Sequence, residues 1–384
     1  MATALDDLRV LELGKSIATG YCTMLLADLG AEVVRIEQPD QTSKGLLTPL
    51  SLYLDRSKKG VTLDIAQEKG QAIFKELVKK SDIVVDSLRE VGIEYEILKT
   101  LNPGIIHASL STFGRNASQA PDGVHDLLAQ AVSGYMSITG FPERPPTRSG
   151  QAISEYYAAI QCTISILAAL QYRRVTGQGQ FIDMALLDSL ITAMEGVAEQ
   201  YFLDGEVQNR SGNVTFGIGR TGYGVYKTAD GYVALAVLYR NIWPRFCEAI
   251  ERPELLQDPR LADLASRRAH SDLVKEIIEE WVSARRTDEI VETLTRGGVP
   301  AAPVQTIEAL LRHPQVQARE MLTEVDHPQY GRLTVTGSPL KMSETPGKVR
   351  SAAPLAGEDN EEVYGRLLGY SHDDIVRLRE QGII

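Results

Sequence analysis

With 384 residues, 43% of them hydrophobic and 24% charged, the chain is longer than one average domain and has the composition of a soluble globular protein able to bury a sizeable core. Its formal net charge of -11 argues against a nucleic-acid backbone as the main partner, while local clusters such as RSKKG (Arg56 to Gly60) leave anionic small molecules open. Three cysteines without metal-like spacing (Cys22, Cys162, Cys247), a start with no basic stretch before an apolar one, and no apolar run of the ~18 residues a bilayer needs together predict a cytoplasmic protein with reduced thiols.

The first half alternates strand and helix patterns. LRVLEL (8–13) reads as a buried strand, ATGYCTMLLADLG (18–30) as a helix closed by Gly30, and AEVVRIE (31–37) as the next strand. VTLDI (61–65) is followed by a helix over 66–81 with Ile73, Leu77 and Val78 on one face. DIVVDSL (82–88) and GIIHASLS (104–111) are two further strands. Repeated β-α-β units predict an open parallel α/β sheet, Rossmann-like, with helices on both faces.

From about Asp126 to Asp204 the pattern is mostly helical, and FIDMALLDS within TGQGQFIDMALLDS (176–189) runs from strand into helix. YGVYKTADGYVALAV (223–237) alternates around an Ala-Asp-Gly turn and predicts a hairpin. Amphipathic helices then run from Trp243 to about Arg296, marking a smaller α/β module. The Pro-rich ETPGKVRSAAPLAG (344–357) predicts an extended crossing segment. SHDDIVRLREQG (371–382) predicts a last helix with Ser371 as N-cap and Asp374 as capping-box acid.

Within the helical run, SGQAISEYYAAIQCTISILAAL (149–170) places Glu155 at the mouth of an apolar helix, where burial is costly unless the acid is paired or protonated. Helix N-termini also welcome acids through their dipole, so Glu155 alone does not specify chemistry. His125, in DGVHDLLAQA, precedes another helical run. GIGRTG (217–222) matches G-x-G-x-x-G, but the hairpin that follows is the wrong context for a dinucleotide site. There is no G-x-S-x-G, no H-x-x-x-H and no paired cysteine motif, so serine-hydrolase and metal readings fall away. Tyr156, Tyr157, Phe216 and Tyr239 read as packing residues.

Taken together these segments resemble the class III CoA-transferases, the family of formyl-CoA transferase, carnitine CoA-transferase and the α-methylacyl-CoA racemases. LLADLGAEVVRIEQP (25–39), RSKKGVTLDI (56–65), LNPGIIHASLSTFG (101–114), HDLLAQAVSGYMSITG (125–140), TGQGQFIDMALLDS and LLGYSHDDIVRLREQGII (367–384) carry the likeness nearly end to end. The resemblance implies an interlocked homodimer: a large CoA-binding α/β domain over 1–204, a linker at 205–222, a small α/β domain over 223–315 and a return segment over 316–384.

It further implies that CoA passes from an acyl-CoA to a carboxylic acid, with CoA thioesters as substrates, no tightly bound cofactor and no membrane or nucleic-acid partner. The family's nucleophilic aspartate lies five residues after a glycine, and counted from Gly150 that position holds Glu155. Positions aligned with CoA contacts are Ile17, Ala18, Leu63, Ser87, Leu88 and Arg89. The usual V-E-N-F-R-P-G has become VVDSLREVG (84–92). Two other readings stay open: a racemase using His125 and Glu155 as an acid/base pair, and a non-catalytic CoA-binding subunit of a heteromer.

Overall fold

A computed structural model describes residues 3–39, 47–87, 94–115, 123–213, 222–237 and 241–384. The first stretch runs β1 (Arg9–Leu13), α1 (Ile17–Asp28), β2 (Glu32–Glu37), α2 (Pro49–Leu54), β3 (Lys59–Thr62), α3 (Glu68–Lys79), β4 (Ile83–Asp86), α4 (Tyr95–Leu101) and β5 (Ile106–Ser111). Next come α5 (Asp126–Val132), a single turn α6 (Tyr135–Ile138), the long α7 (Ile153–Thr176), β6 (Phe181–Ala185), α8 (Leu186–Ile191) and α9 (Val197–Asp204). Then follow β7 (Tyr223–Lys227), β8 (Tyr232–Ala236), α10 (Ile242–Ala249), α11 (Leu264–Ala269), α12 (Ser271–Ser283), α13 (Thr287–Arg296), β9 (Ala301–Pro303) and α14 (Ile307–Leu311). The chain closes with α15 (Pro314–Ala318), β10 (Leu322–His327), β11 (Gly331–Thr336), α16 (Asn360–Leu368) and α17 (His372–Glu380).

These elements form two compact units. One comprises the chain up to Tyr135, Arg148–Glu195 and Pro314–Ile384; the other comprises Met136–Thr147 and Gly196–His313. The first unit is built on a six-stranded sheet, ordered β3-β2-β1-β4-β5-β6, in which every pairing is parallel. Both faces are covered because consecutive strand side chains alternate between two cores. Val10, Ile83, Val85 and Ala108 pack with α1 and α7, while Leu11, Leu13, Val34 and Val84 pack with α3, α16 and α17. The strand order reverses between β1 and β4, and ligands of such sheets bind beyond the strand C-termini at that point.

Helix α7 corrects the expectation about apolar runs: by length and composition it could cross a bilayer. Instead Ala158, Ala159, Cys162, Ile166 and Ala169 are buried in the first unit's core. Gly177 ends it at φ 74, a left-handed conformation that costs glycine little. The expected strand 61–65 stops at Thr62 because its ladder to β2 ends at the Glu37–Thr62 pair. At the C-terminus Ser371 and Asp374 form the expected capping box. The hairpin β10–β11, for which the sequence reading provides no element, adds a two-stranded sheet.

The extended segment near 350 is strapped along the first unit. The Arg350 guanidinium donates to the carbonyl of Ala27 in the last turn of α1 and to those of Gly30 and Ala31 in the turn that follows.

In the second unit β7, β8 and β9 make an antiparallel sheet containing the expected hairpin. Trp243, Phe246, Ile278 and Trp281 fill its core.

Candidate active site

Strand β1 delivers the chain into the turn Gly14-Lys15-Ser16, and α1 opens at Ile17. Gly14 sits at φ +105, and a Cβ there would lie 2.2 Å from Ser87 Oγ, so the end of β4 closes directly over the turn. Ser16 caps α1 by accepting from Thr19 N. The N–H groups of Ile17 and Ala18 are thereby left at the helix mouth, where an anion is favoured.

That anion is Glu155. Its Oε2 accepts from Ala18 N at 2.9 Å, and the Ile17 N–H supports it as well. Glu155 lies in the first turn of α7 and is only 7% exposed. Two helix N-termini therefore converge on one buried carboxylate.

The mouth of α7 is organised by α5. Asp126 Oδ1 accepts from both Ser154 N (3.0 Å) and Ser154 Oγ (2.7 Å), acting as a cap supplied from another helix. Gln130 joins it, donating to Asp126 Oδ2 at 2.6 Å and accepting from Ser149 N at 2.8 Å. The Asp126/Gln130 spacing of one helical turn is the signal that reveals this cap, and the sequence reading did not single it out.

Burial raises the Glu155 pKa most, the Ala18 N–H opposes it, and the neighbouring Asp126 charge raises it again. The Ile17 N–H and His125 lower it, and the outcome is about 7. Desolvation and a like charge thus outweigh two N–H donors. His125 is the N-cap residue of α5 but makes no side-chain cap; its N–H donates to Thr112 Oγ1 at 2.9 Å. The structure brings His125, Glu155, Ile17 and Ala18 together.

Of the other expected positions, Ser87 lies against Gly14 at the switch point, whereas Leu63 is buried two strands away, past β3. Leu88 and Arg89 lie outside the described residues, as do Phe216 and Tyr239. Beside the turn a cleft of about 240 Å³ is lined by Gly14, Lys15, Ser16 and Gly20. A larger cavity of about 740 Å³ is lined by second-unit residues alone, Tyr232, Arg286 and Thr287 among them.

The RSKKG cluster does not face outward for phosphates, which corrects that expectation. Arg56 is buried against Asp28 at 2.8 Å, and Lys58 is buried against Glu12 at 2.7 Å. Lys59 pairs with Glu32 and Glu362. The Arg56 and Lys58 charges left water because carboxylate partners lie inside.

Comparison with known proteins places nearly the whole chain in one family. The sequence profile described as CoA-transferase family III matches residues 5–360. A succinyl-CoA–D-citramalate CoA-transferase of Chloroflexus aurantiacus is 33% identical, covering 99% of this chain and 98% of its own. A succinyl-CoA:mesaconate CoA-transferase of Haloarcula hispanica is 36% identical over 94% of this chain and 95% of its own. Among solved structures, a CAIB/BAIF family protein from Brucella suis superposes with a TM-score of 0.84 at 28% identity, covering 96% of this chain and all of that one (100%).

Proposed function

We propose that Glu155 is the nucleophile through which this chain, which belongs to CoA-transferase family III and is a CoA-transferase, moves CoA between two carboxylic acids. The observation that carries this reading is the buried Glu155 carboxylate held by the α1 N–H groups, at the sheet's switch point. Glutamate has the carboxylate chemistry of the family's aspartate on a side chain one methylene longer.

In this mechanism the Glu155 carboxylate attacks the donor thioester carbon and expels CoA thiolate, giving a mixed anhydride. The thiolate attacks the Glu155 carbonyl, releasing the donor acid and leaving a glutamyl-CoA thioester. The acceptor carboxylate attacks that carbonyl and expels the thiolate again. Thiolate attack on the acceptor acyl carbon then releases acceptor-CoA and restores Glu155. Water takes no part, so burial protects intermediates that would otherwise hydrolyse. The Ile17 and Ala18 N–H groups, which hold the carboxylate beforehand, are placed to hold the oxyanions that form on it.

CoA lies over the first βα turn against Ile17, Ala18 and Ser87, whereas Leu63, buried past β3, does not reach it. The acids are short dicarboxylates, a reading supported by the succinyl, citramalate and mesaconate groups in the relatives' names. The molecule works as an interlocked homodimer. In support, α7 exposes Tyr157, Ile160, Ile164 and Leu167 in one stripe, beside the exposed Leu127, Leu128 and Val132 of α5. A helix apolar on all sides calls for cover on its second face. Three buried free thiols fit a cytoplasmic location.

The test is mass spectrometry after incubation with succinyl-CoA. Hydroxylamine-sensitive CoA on Glu155 is expected, and its absence overturns the nucleophile. Exchange of α-deuterium without CoA transfer would instead support His125 and Glu155 as an acid/base pair.

A further inference from the structure

One turn along α1 from Ala18 stands Tyr21, and next to Glu155 on α7 stands Tyr156. Their rings meet edge to face, with centroids 4.9 Å apart and planes at 84°. Tyr53, from α2, stacks on Tyr21 at 6.2 Å. All three are half-buried and bring their hydroxyls together from three different helices. The trio is no mere packing cluster, because apolar rings would pack equally well without converging hydroxyls.

The Tyr53 hydroxyl lies within hydrogen-bonding reach of the hydroxyls of both Tyr21 and Tyr156. A phenol has one proton to donate. Two such contacts use at most two of the trio's three protons, so at least one is left to point at a ligand. Burial keeps all three phenols protonated, which makes them lasting donors. Behind them the Arg56 guanidinium lies 5.8 Å from the Tyr53 ring. It is fully buried and paired with Asp28, so it reaches no ligand itself and its charge is offset by its partner. A phenol O–H beside Glu155 matches a carboxylate, which accepts hydrogen bonds and, when ionised, never donates.

The offset from Ala18 to Tyr21 is three residues, a rise of about 4.5 Å along the helix. We propose that Tyr21 and Tyr156, supported by Tyr53, hold the distal carboxylate of a short dicarboxylic acyl group while its other carboxyl carbon reacts at Glu155. The proposal rests on the reading of Glu155 as nucleophile, and it assigns selection of dicarboxylates over monocarboxylates to neutral phenols rather than to an ion pair.

The experiment compares two self-exchange reactions: labelled succinate into succinyl-CoA and labelled butyrate into butyryl-CoA. The wild type favours succinate. Tyr21→Phe and Tyr156→Phe keep the rings and remove one donor each. A hydrogen bond to a charged group is expected to make each variant lower the succinate-to-butyrate ratio of kcat/KM by about 10-fold or more. The double variant lowers it further, with the loss mainly in KM for succinate. A ratio unchanged in both single variants and in the double variant overturns the proposal, as does a wild type that shows no succinate exchange or no preference. The same samples are probed for the hydroxylamine-sensitive adduct on Glu155. Adduct present with an unchanged ratio sinks the tyrosine assignment alone; adduct absent sinks the nucleophile reading. Thermal melts of the variants identify any fold defect, and butyrate exchange falling in step with succinate exchange counts against the proposal.

Discussion

Glu155 Oε2 accepts the backbone N–H of Ala18 at 2.9 Å across 137 residues of sequence, joining the N-termini of α1 and α7 through one carboxylate. The bond sets where the nucleophile stands, and burial sets how readily it ionises.

A nucleophile must be ionised, so the pKa of about 7 places an acid limb in kcat/KM near neutrality. Activity is expected to fall about tenfold per pH unit below that limb, as measured with free enzyme and limiting substrate. Glu155→Gln should abolish transfer at every pH while leaving the fold intact. Glu155→Asp withdraws the carboxylate by about one bond length, and a misplacement of ~1 Å costs on the order of 100-fold. A limb near pH 4.5 in the wild type would contradict the effect of burial.

The same pKa has a stability consequence. The folded value of about 7 exceeds the ordinary 4.5, so the folded state holds the proton more tightly. Stability attached to this group is fully present below pH ~4.5 and is lost as pH rises through 7. At about 1.4 kcal/mol per unit, the loss is about 3.5 kcal/mol above neutrality. Glu155→Gln removes it while keeping an acceptor for Ala18. Denaturant unfolding should therefore show the variant more stable than wild type at pH 8 by about that amount, and nearly equal to it at pH 4.5.

Asp126→Asn deletes the like charge but retains an oxygen for Ser154. The acid limb of activity should move to lower pH, and a pH–rate profile reads this directly. The amide loses the bond from Gln130, and about 1 kcal/mol of stability is expected to go with it.

Gly14→Ala combines a left-handed φ with a Cβ placed on Ser87 Oγ. A stability loss of about 2 kcal/mol or more is expected, together with weaker CoA binding by calorimetry. Adding Ser87→Ala should recover only part of the stability, since the backbone strain at Gly14 remains.

Ile164 is 61% exposed in the middle of the α7 stripe. If a second copy covers this stripe, Ile164→Glu buries an unpaired charge there and dissociates the dimer in sedimentation velocity. A wild-type monomer at micromolar concentration would remove the homodimer from the reading.

Local chemistry made much of the fold legible in the sequence. Strand and helix periods, the Ser371–Asp374 capping box and the hairpin around Asp230 depend on neighbours within a few residues, and each recurs in the structure. Ordered motifs likewise led to the family and to Glu155. Burial and field depend on residues far apart, and there the sequence was silent or misleading. It offered RSKKG as an anion site, yet folding turned Arg56 and Lys58 inward onto Asp28 and Glu12. Tyr156 read as packing, because only tertiary structure sets it beside Tyr21 and Tyr53. An acid at a helix mouth could have been any cap. Desolvation, the α1 N–H groups and the Asp126 charge, brought together from three separate stretches of chain, are what give this carboxylate a pKa near 7.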